Sequence, residues 1–451
     1  MNVADSEKML SLLNGMNYVL TEDESEADLF LLNTCHIREK AKHKVVSRLG
    51  VLRELKKQRP GVKIAVAGCV AQAEGAKLLR EAPQIDVLVG PGKIDELPEL
   101  LGRSMSSGAS AIATGFARTE SQGGLAGESQ KPSAPEAAPP TLTGKNEVSR
   151  FVNIIQGCNN FCTFCIVPFT RGREISRMPS DILAECGKLL DSGAKEIMLL
   201  GQNVNSYGLD LVDKGGLESG ERGPFVELLE AVAALPRLER LRFTTSNPHD
   251  FTKPLADLFA ANNKMGRYMH LPVQSGNDRV LEVMRRKVTV EDYRERIQWL
   301  RDAVPDMAIS TDLIVGFPGE TEAEFEDTLK LVEEVQYSFV YAFKYSPRKG
   351  TAAARMPGQI TESVMESRLA RLNALQDSIT IRQNEGEIGK IRDVLFLYES
   401  KKTPGVFYGR TEHFRLVRVE SNCSLVGHCL PVLITGANKT ALAGDLTPVL
   451  H

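Results

Sequence analysis

Between residues 151 and 345 the chain alternates short apolar runs with stretches of helical spacing. That alternation constrains the fold more than any other feature. Six runs read as strands, over 151–156, 196–203, 240–247, 268–276, 308–317 and 339–345. Most are separated by helical segments. A strand that returns to its sheet in the same direction needs a crossover of a dozen or more residues. The pattern therefore predicts parallel β-α units closing toward a barrel, with the site at the strand C-termini. Six units fall short of the eight of a full barrel, so the expected barrel is partial. Helix signals agree: Thr321 and Glu324 form a capping box, Ser180 reads as an N-cap and Gly193 as the residue beyond a helix end.

The first segment, 1–103, follows the same logic on a smaller scale. Runs at 28–33, 63–67 and 85–89 read as buried strands, and 6–13, 40–59 and 74–82 as helices. This predicts a doubly wound parallel sheet. Cys35 and Cys69 stand just past strand ends, where open α/β sheets place ligands. In 104–143, 24 of 40 residues are Ser, Gly, Ala or Pro, which reads as a flexible linker. The core follows over 144–380, with a long helix at 361–387. Residues 381–451 finish the chain, and from Ile388 short strands with Gly and Asn turns predict a small β-barrel. The fold class is α/β with this β module appended.

Hydrophobic residues make up 42% of the chain and charged residues 25%, with 55 Lys and Arg against 58 Asp and Glu. That composition excludes a wholly disordered chain. No stretch approaches the roughly 20 apolar residues of a membrane span, and the start lacks a secretory leader. A cytoplasmic, reducing location is expected. Eight cysteines are too few for a disulfide scaffold, so clustered ones point to metal or redox chemistry.

Cys158, Cys162 and Cys165 form such a cluster, spaced C-x3-C-x2-C after the first core strand. Three thiolates on one loop can each hold one iron of a cubane cluster. The remaining iron is then open to a cofactor, by the logic of open catalytic metal sites. Zinc is the alternative, but it prefers two C-x2-C pairs or a nearby fourth ligand. Cys186 reads as a core residue, and Cys423 and Cys429 as buried in the C-terminal module.

The flanking text is specific. NTCHIREKAKHK (33–44), AGCVAQ (67–72), QGCNNFCTFCIVPFTRGREISR (156–177), LLGQNVNSYG (199–208), HLPVQSGND (270–278) and DLIVGFPGET (312–321) resemble the tRNA methylthiotransferase family of MiaB type, in the radical S-adenosylmethionine superfamily. The likeness spans nearly the whole chain apart from the linker. It favours the branch acting on N6-isopentenyl-adenosine over the threonylcarbamoyl-adenosine branch, which is kept as the rival.

The resemblance implies a [4Fe-4S] cluster on Cys158, Cys162 and Cys165 that binds S-adenosylmethionine and releases a 5′-deoxyadenosyl radical. The radical takes hydrogen from adenine C2 beside the anticodon. Two S-adenosylmethionine molecules would be used per turnover. Cofactor contacts are expected from Phe164, Gln202, Asn203, Asp312 and Gly316. Loop packing for Phe164 and turn formation for Gly316 stay open. Ser246, His270 and Gln274 are expected at the same mouth.

Cys35 and Cys69 match two ligands of the family's auxiliary [4Fe-4S] cluster. The family's first auxiliary ligand lies in a Gly-Cys-Gln-Met-Asn passage, whereas this sequence starts at Met1-Asn2-Val3. The expectation is a frame that begins upstream, with a tRNA-binding protein that has lost thiolation as the further alternative. The C-terminal module resembles the family's RNA-gripping TRAM barrel. It carries Lys390, Arg392, Lys401, Lys402, Arg410, Arg415 and Arg418, interleaved with Phe407, Tyr408 and Phe414. Implied partners are the tRNA anticodon stem-loop, an electron donor and a sulfur donor.

Overall fold

A computed structural model describes residues 1–34, 39–116 and 148–447. The chain divides into two compact units. The first comprises the described residues of Met1–Leu142 with Gln156–Asn159 and Ile166–Glu174, and the second comprises the rest.

The first unit is a four-stranded parallel sheet in the order β1 (Leu29–Thr34), β2 (Lys63–Gly68), β3 (Val87–Val89), β4 (Ala111–Ala113). Alternate side chains of β2 face opposite ways, as strand geometry requires. Ile64 and Val66 pack with Leu49 and Leu52 of the helix Glu39–Gln58. Ala65 and Ala67 pack with Met9 and Leu13 of the helix Asn2–Asn14 and with Leu97, Leu100 and Leu101. Both faces are covered, so β2 reads as an unbroken apolar run. Two elements depart from expectation. The helix Leu97–Ser107 and the edge strand β4 occupy ground read as linker from residue 104. The helix expected over 74–82 is two short ones, Cys69–Glu74 and Ala76–Glu81, broken at Gly75. Cys35 and residues 117–147 lie outside the described residues.

In the second unit all six expected core strands form, and all pair parallel. They are β5 (Ser149–Asn153), then, beyond a short ribbon of β6 (Ile155–Gln156) and β7 (Ile175–Ser176), β8 (Glu196–Leu200), β9 (Arg240–Thr244), β10 (Tyr268–His270), β11 (Ala308–Val315) and β12 (Phe339–Lys344). One half is β5-β8-β9 and the other β10-β11-β12, linked by a bridge between Leu241 and Met265. In register, Asn153, Leu200 and Thr244 end level, so the following residues share one mouth. The capping box at Thr321 is present. The helix expected to start at Ser180 has Met178 as its N-cap and Pro179 in the first turn, a position Pro favours because its missing N–H is not needed there.

The C-terminal strands close into a barrel, β13 (Ile391–Glu399), β14 (Val406–Thr411), β15 (Leu416–Glu420), β16 (Cys429–Ala437) and β17 (Leu442–Leu446), in the order β13-β14-β15-β17-β16. Its core holds Val394, Phe396, Phe407, Val417 and Ile434. At Gly409 a Cβ would lie 2.5 Å from Val394 Cγ1, so only glycine lets the strands approach. Cys423 and Cys429, expected to be buried, are exposed. They sit at the barrel surface, and the aliphatic side chains fill the core without them.

The barrel is fastened to the core by a buried cation. Arg242 on β9 donates from Nε to Glu196 Oε2 at 2.8 Å, from Nη2 to Thr411 O at 2.8 Å and from Nη1 to Glu412 O at 3.0 Å. Ser149 Oγ donates to Glu196 Oε1 at 2.7 Å. Both charged side chains are under 3% exposed. Burial pulls Arg242 down to about 10 despite Glu196, so it stays charged at neutral pH. Arg240 donates to Arg410 O at 2.9 Å, and Phe414 stacks on Tyr268 at 4.8 Å between ring centres. No helix among the described residues is long and apolar enough to cross a membrane.

Two outcomes are expected. Arg242→Met strands the Glu196 carboxylate and should destabilise the second unit by roughly 3–5 kcal/mol, read from its urea midpoint. The second concerns Glu412. Burial opposes its charge, but the hydrogen bond and charge of His413, with Arg392, hold it down to about 2 from 4.5. A depressed carboxylate stabilises the fold above its unfolded value and loses that contribution as pH falls through its folded one. The difference in unfolding free energy between wild type and Glu412→Gln should therefore shrink as pH drops from 4.5 toward 2.

Candidate active site

The cysteine loop is shaped by its backbone. Gly157 has φ +83°, and a Cβ there would lie 2.0 Å from Arg173 O. Glycine alone lets the chain pass, and the Cys158 N–H then reaches Gly172 O at 3.1 Å. Further along, Phe161 takes φ +48°, and the Cys165 N–H bonds Cys162 O at 3.0 Å. Thr163 anchors the turn. Its N–H donates to Met284 O at 3.1 Å, its hydroxyl to Val283 O at 3.0 Å, and its carbonyl accepts from Ala353 N at 2.9 Å. Phe164 packs against Val280, Met284, Phe317, Tyr345 and Met365, which is loop packing. The three thiols are half-buried and free of disulfides.

A cubane takes one thiolate per iron, and the three free thiols of this loop supply that donor chemistry. Arg286 Nη1 lies 3.6 Å from Cys162 Sγ in hydrogen-bonding geometry.

Several core strands end earlier than the runs expected for them, as β8 at Leu200 and β9 at Thr244 do, and the residues beyond them build the mouth. Gly201 follows β8 where a Cβ would lie 2.4 Å from Ile155, and Gln202 and Asn203 come next. Asn203 is buried and donates to Asp250 Oδ2 at 2.7 Å. After β9, Thr245 takes φ +71°, and after β10, Gln274 takes φ +81°. Left-handed backbone is rare for residues other than glycine, and rarest for a β-branched one. Strain of this kind gathers at functional sites. Ser246 is buried, and its hydroxyl has no hydrogen-bond partner among the described residues.

On β10 and β11, His270 Nδ1 shares a hydrogen bond with Ser310 Oγ at 2.9 Å. Burial drives His270 down to about 4, so it is neutral at pH 7. Its 3.7 Å approach to Asp312 is therefore not an ion pair. Tyr341 packs edge-on to His270. Gly316 has φ +75°, and a Cβ there would lie 2.2 Å from Met365 Cγ. Its N–H donates to the buried Glu320 at 2.6 Å.

In the first unit, Cys69 is buried at the end of β2. Arg171 Nη2 donates to Asp5 Oδ2 at 2.6 Å, with both side chains buried. Burial opposes the charge of this guanidinium, but Asp5 and Cys69 raise its pKa. Cys186 is a core thiol that burial pushes up to about 12. Sequence reasoning missed Arg171 and Arg286. Arg171 stands in the quoted FTRG passage, but nothing in a lone arginine signals interaction with a cysteine.

Comparison with known proteins agrees with this geometry. Residues 152–332 match the Radical SAM superfamily, and residues 1–90 match the Uncharacterized protein family UPF0004. A radical S-adenosylmethionine methyltransferase from Kitasatospora setae, solved with cobalamin and a [4Fe-4S] cluster, shares the fold with a TM-score of 0.53 at 15% identity, over 78% of this chain and 71% of that one. The fold is thus that of a radical S-adenosylmethionine protein. A tRNA-2-methylthio-N(6)-dimethylallyladenosine synthase of Geotalea uraniireducens is 44% identical over 99% of this chain and 96% of its own length. The synthase of that name from Moorella thermoacetica is 42% identical with the same coverage. The chain belongs to the tRNA-2-methylthio-N(6)-dimethylallyladenosine synthase family.

The loop geometry predicts that Gly157→Ala takes up less than half the wild-type iron on anaerobic reconstitution while keeping its far-ultraviolet circular dichroism.

Proposed function

We propose that this chain methylthiolates C2 of N6-isopentenyl-adenosine next to the anticodon in tRNA. Likeness at 44% identity over nearly the full length to synthases of that name carries the reading. Cys158, Cys162 and Cys165 would hold the [4Fe-4S] cluster that binds S-adenosylmethionine, and Cys69 with Cys35 would contribute to the auxiliary cluster. When bound, the reduced cluster and S-adenosylmethionine supply the radical that takes hydrogen from C2.

The chain's own residues bind and orient. The strand-end groups Gln202, Asn203, Ser246 and Gln274 offer short polar side chains at the mouth. Asp312 and the neutral His270 share one face of the core strands with the ring of Tyr341. Gly316 keeps its backbone open where a side chain would collide with Met365. Phe164 supports the loop from beneath.

The C-terminal barrel offers the RNA a narrower surface than its sequence suggests. Arg392 is held by Glu387 and Glu412, Arg415 bonds Asn384, and Arg410 covers the Phe414 ring. Phe407 is core. What remains is a half-buried row across three strands, in which Arg418 also pairs with Glu420 at 2.6 Å. Tyr398 stands beside Tyr408, and Tyr408 beside Arg418. The two tyrosine rings stack at 5.4 Å. Lys401 and Lys402 lie in the adjoining hairpin, exposed. Aromatic faces for unpaired bases and cations for phosphates suit the loop of an anticodon arm. A substrate of this kind places the work in the cytoplasm. The electron and the sulfur come from partner molecules.

The test incubates the reconstituted chain with S-adenosylmethionine, reductant and tRNA lacking the methylthio group, and then weighs the digested nucleosides. Isopentenyl-adenosine should be converted to its 2-methylthio form. Cys158→Ala should abolish both this product and 5′-deoxyadenosine, whereas Cys69→Ala should lose the methylthio product alone. Conversion of threonylcarbamoyl-adenosine instead would overturn the reading.

A further inference from the structure

Arg286 is a buried cation without a carboxylate. Its side chain is among the buried charged groups of the second unit, at 7% exposure. Among the described residues it makes no ion pair with Asp or Glu, whereas the buried Arg171, Arg242 and Arg368 each do, and the buried Arg240 is held by two carbonyl oxygens and Cys429 Sγ. Nη2 donates to Pro272 O at 2.5 Å and Nη1 to Cys162 Sγ at 3.6 Å. Nε is buried with no hydrogen-bond partner. A buried guanidinium is costly unless an anion answers it. The group in contact with this one is a cysteine sulfur.

The backbone holds it there deliberately. Arg285 and Lys287, on either side, take φ +58° and +53°, a region that residues other than glycine rarely adopt. The Arg286 N–H is tied to Leu281 O at 3.0 Å. Pro272 follows β10, so the guanidinium spans from the mouth of the core strands to the cysteine loop. Val283 and Met284, just before it, receive both hydrogen bonds of Thr163. One short stretch of chain thus positions the turn between Cys162 and Cys165 and presents a cation to one of its sulfurs.

We infer that Arg286 is a positioning residue that acts through Cys162, donating to its sulfur and balancing the charge of the cluster held by the loop. The inference rests on the proposed role of Cys158, Cys162 and Cys165. Hydrogen bonds to the sulfurs and nearby charge are among the levers that set the reduction potential of such clusters. A donor and a positive charge both favour the reduced form, which carries one more electron. Arg286 therefore makes the cluster easier to reduce. Its planar fork suits this double attachment, and the point charge of a lysine does not.

The test uses the full chain, reconstituted anaerobically with iron and sulfide, as wild type, Arg286→Met and Arg286→Lys. Each is poised at a series of potentials, and the reduced cluster that responds to S-adenosylmethionine is counted by electron paramagnetic resonance. At equal iron content, Arg286→Met should lower the reduced-to-oxidised ratio at fixed potential about tenfold, a shift of ~59 mV for one electron. Arg286→Lys, which keeps the charge but not both bonds, should lower it about threefold, or ~28 mV on the same scale. Variants that load iron and titrate with the wild type overturn the inference. If Arg286→Met does not fold by circular dichroism, Arg286→Lys decides alone, by the same rule. A wild-type chain that takes up no cluster on this loop overturns both the inference and the reading beneath it. A loaded wild type with unshifted variants overturns the inference only.

Discussion

Arg242 is surrounded by protein on every side, and its three nitrogens each have an assigned partner. Glu196 answers its charge, and two carbonyls of the C-terminal barrel take the remaining donors. Neither Glu196 nor Arg242 is tolerable alone at that depth, because an uncompensated buried charge costs several kcal/mol. The geometry of the fork leaves little freedom, so β8, β9 and the turn after β14 are set together. From there the register runs level to the other ends of the strands, at Leu200 and Thr244. The site is a consequence of an anchor at the opposite end of the sheet.

At the mouth the physics changes. Past the strand ends the backbone enters conformations that side chains resist, at Thr245, Gln274 and Gly157. Such departures persist only where the surroundings over-determine them. Here Thr245 O accepts from the Val204 N–H and Gln274 N–H donates to Asp312 O. Neighbouring strand ends therefore brace one another, and the polar groups on them are held on a rigid rim instead of on free loops. That suits chemistry in which a reactive species must meet one atom of one base.

Much of this could be read from residues alone. The six core strands were visible because both faces of a parallel strand are covered, so each appears as an apolar run. The cysteine spacing pointed to the cluster because few other structures use three thiols on one loop. Less visible was where each strand ends, because the chain runs on past β8 and β9 into the mouth without a proline or a recognisable turn sequence at the break. The edge strand Ala111–Ala113 was hidden among small residues that also compose linkers. The basic residues of the barrel misled for a physical reason. Charge in a sequence does not say whether a carboxylate waits for it, and Arg392 and Arg415 turned out to be internal fastenings. Long-range partners were beyond reach: Arg286 and Cys162 are 124 residues apart.

The fastening of the β-barrel also bears on how such a protein can change over generations. A small β-barrel looks like an interchangeable part, with its own closed sheet and its own core. Yet it supplies the carbonyls that solvate Arg240 and Arg242, and the ring of Phe414 that lies against Tyr268. A foreign barrel grafted at residue 381 would leave Arg240 without its carbonyl partners and Arg242 with Glu196 alone. Drift on the row of tyrosines and lysines is unconstrained by these bonds, whereas the turn beneath must move in step with the core. Substrate range can therefore diversify on one side of the barrel while the other side ties it to a single scaffold.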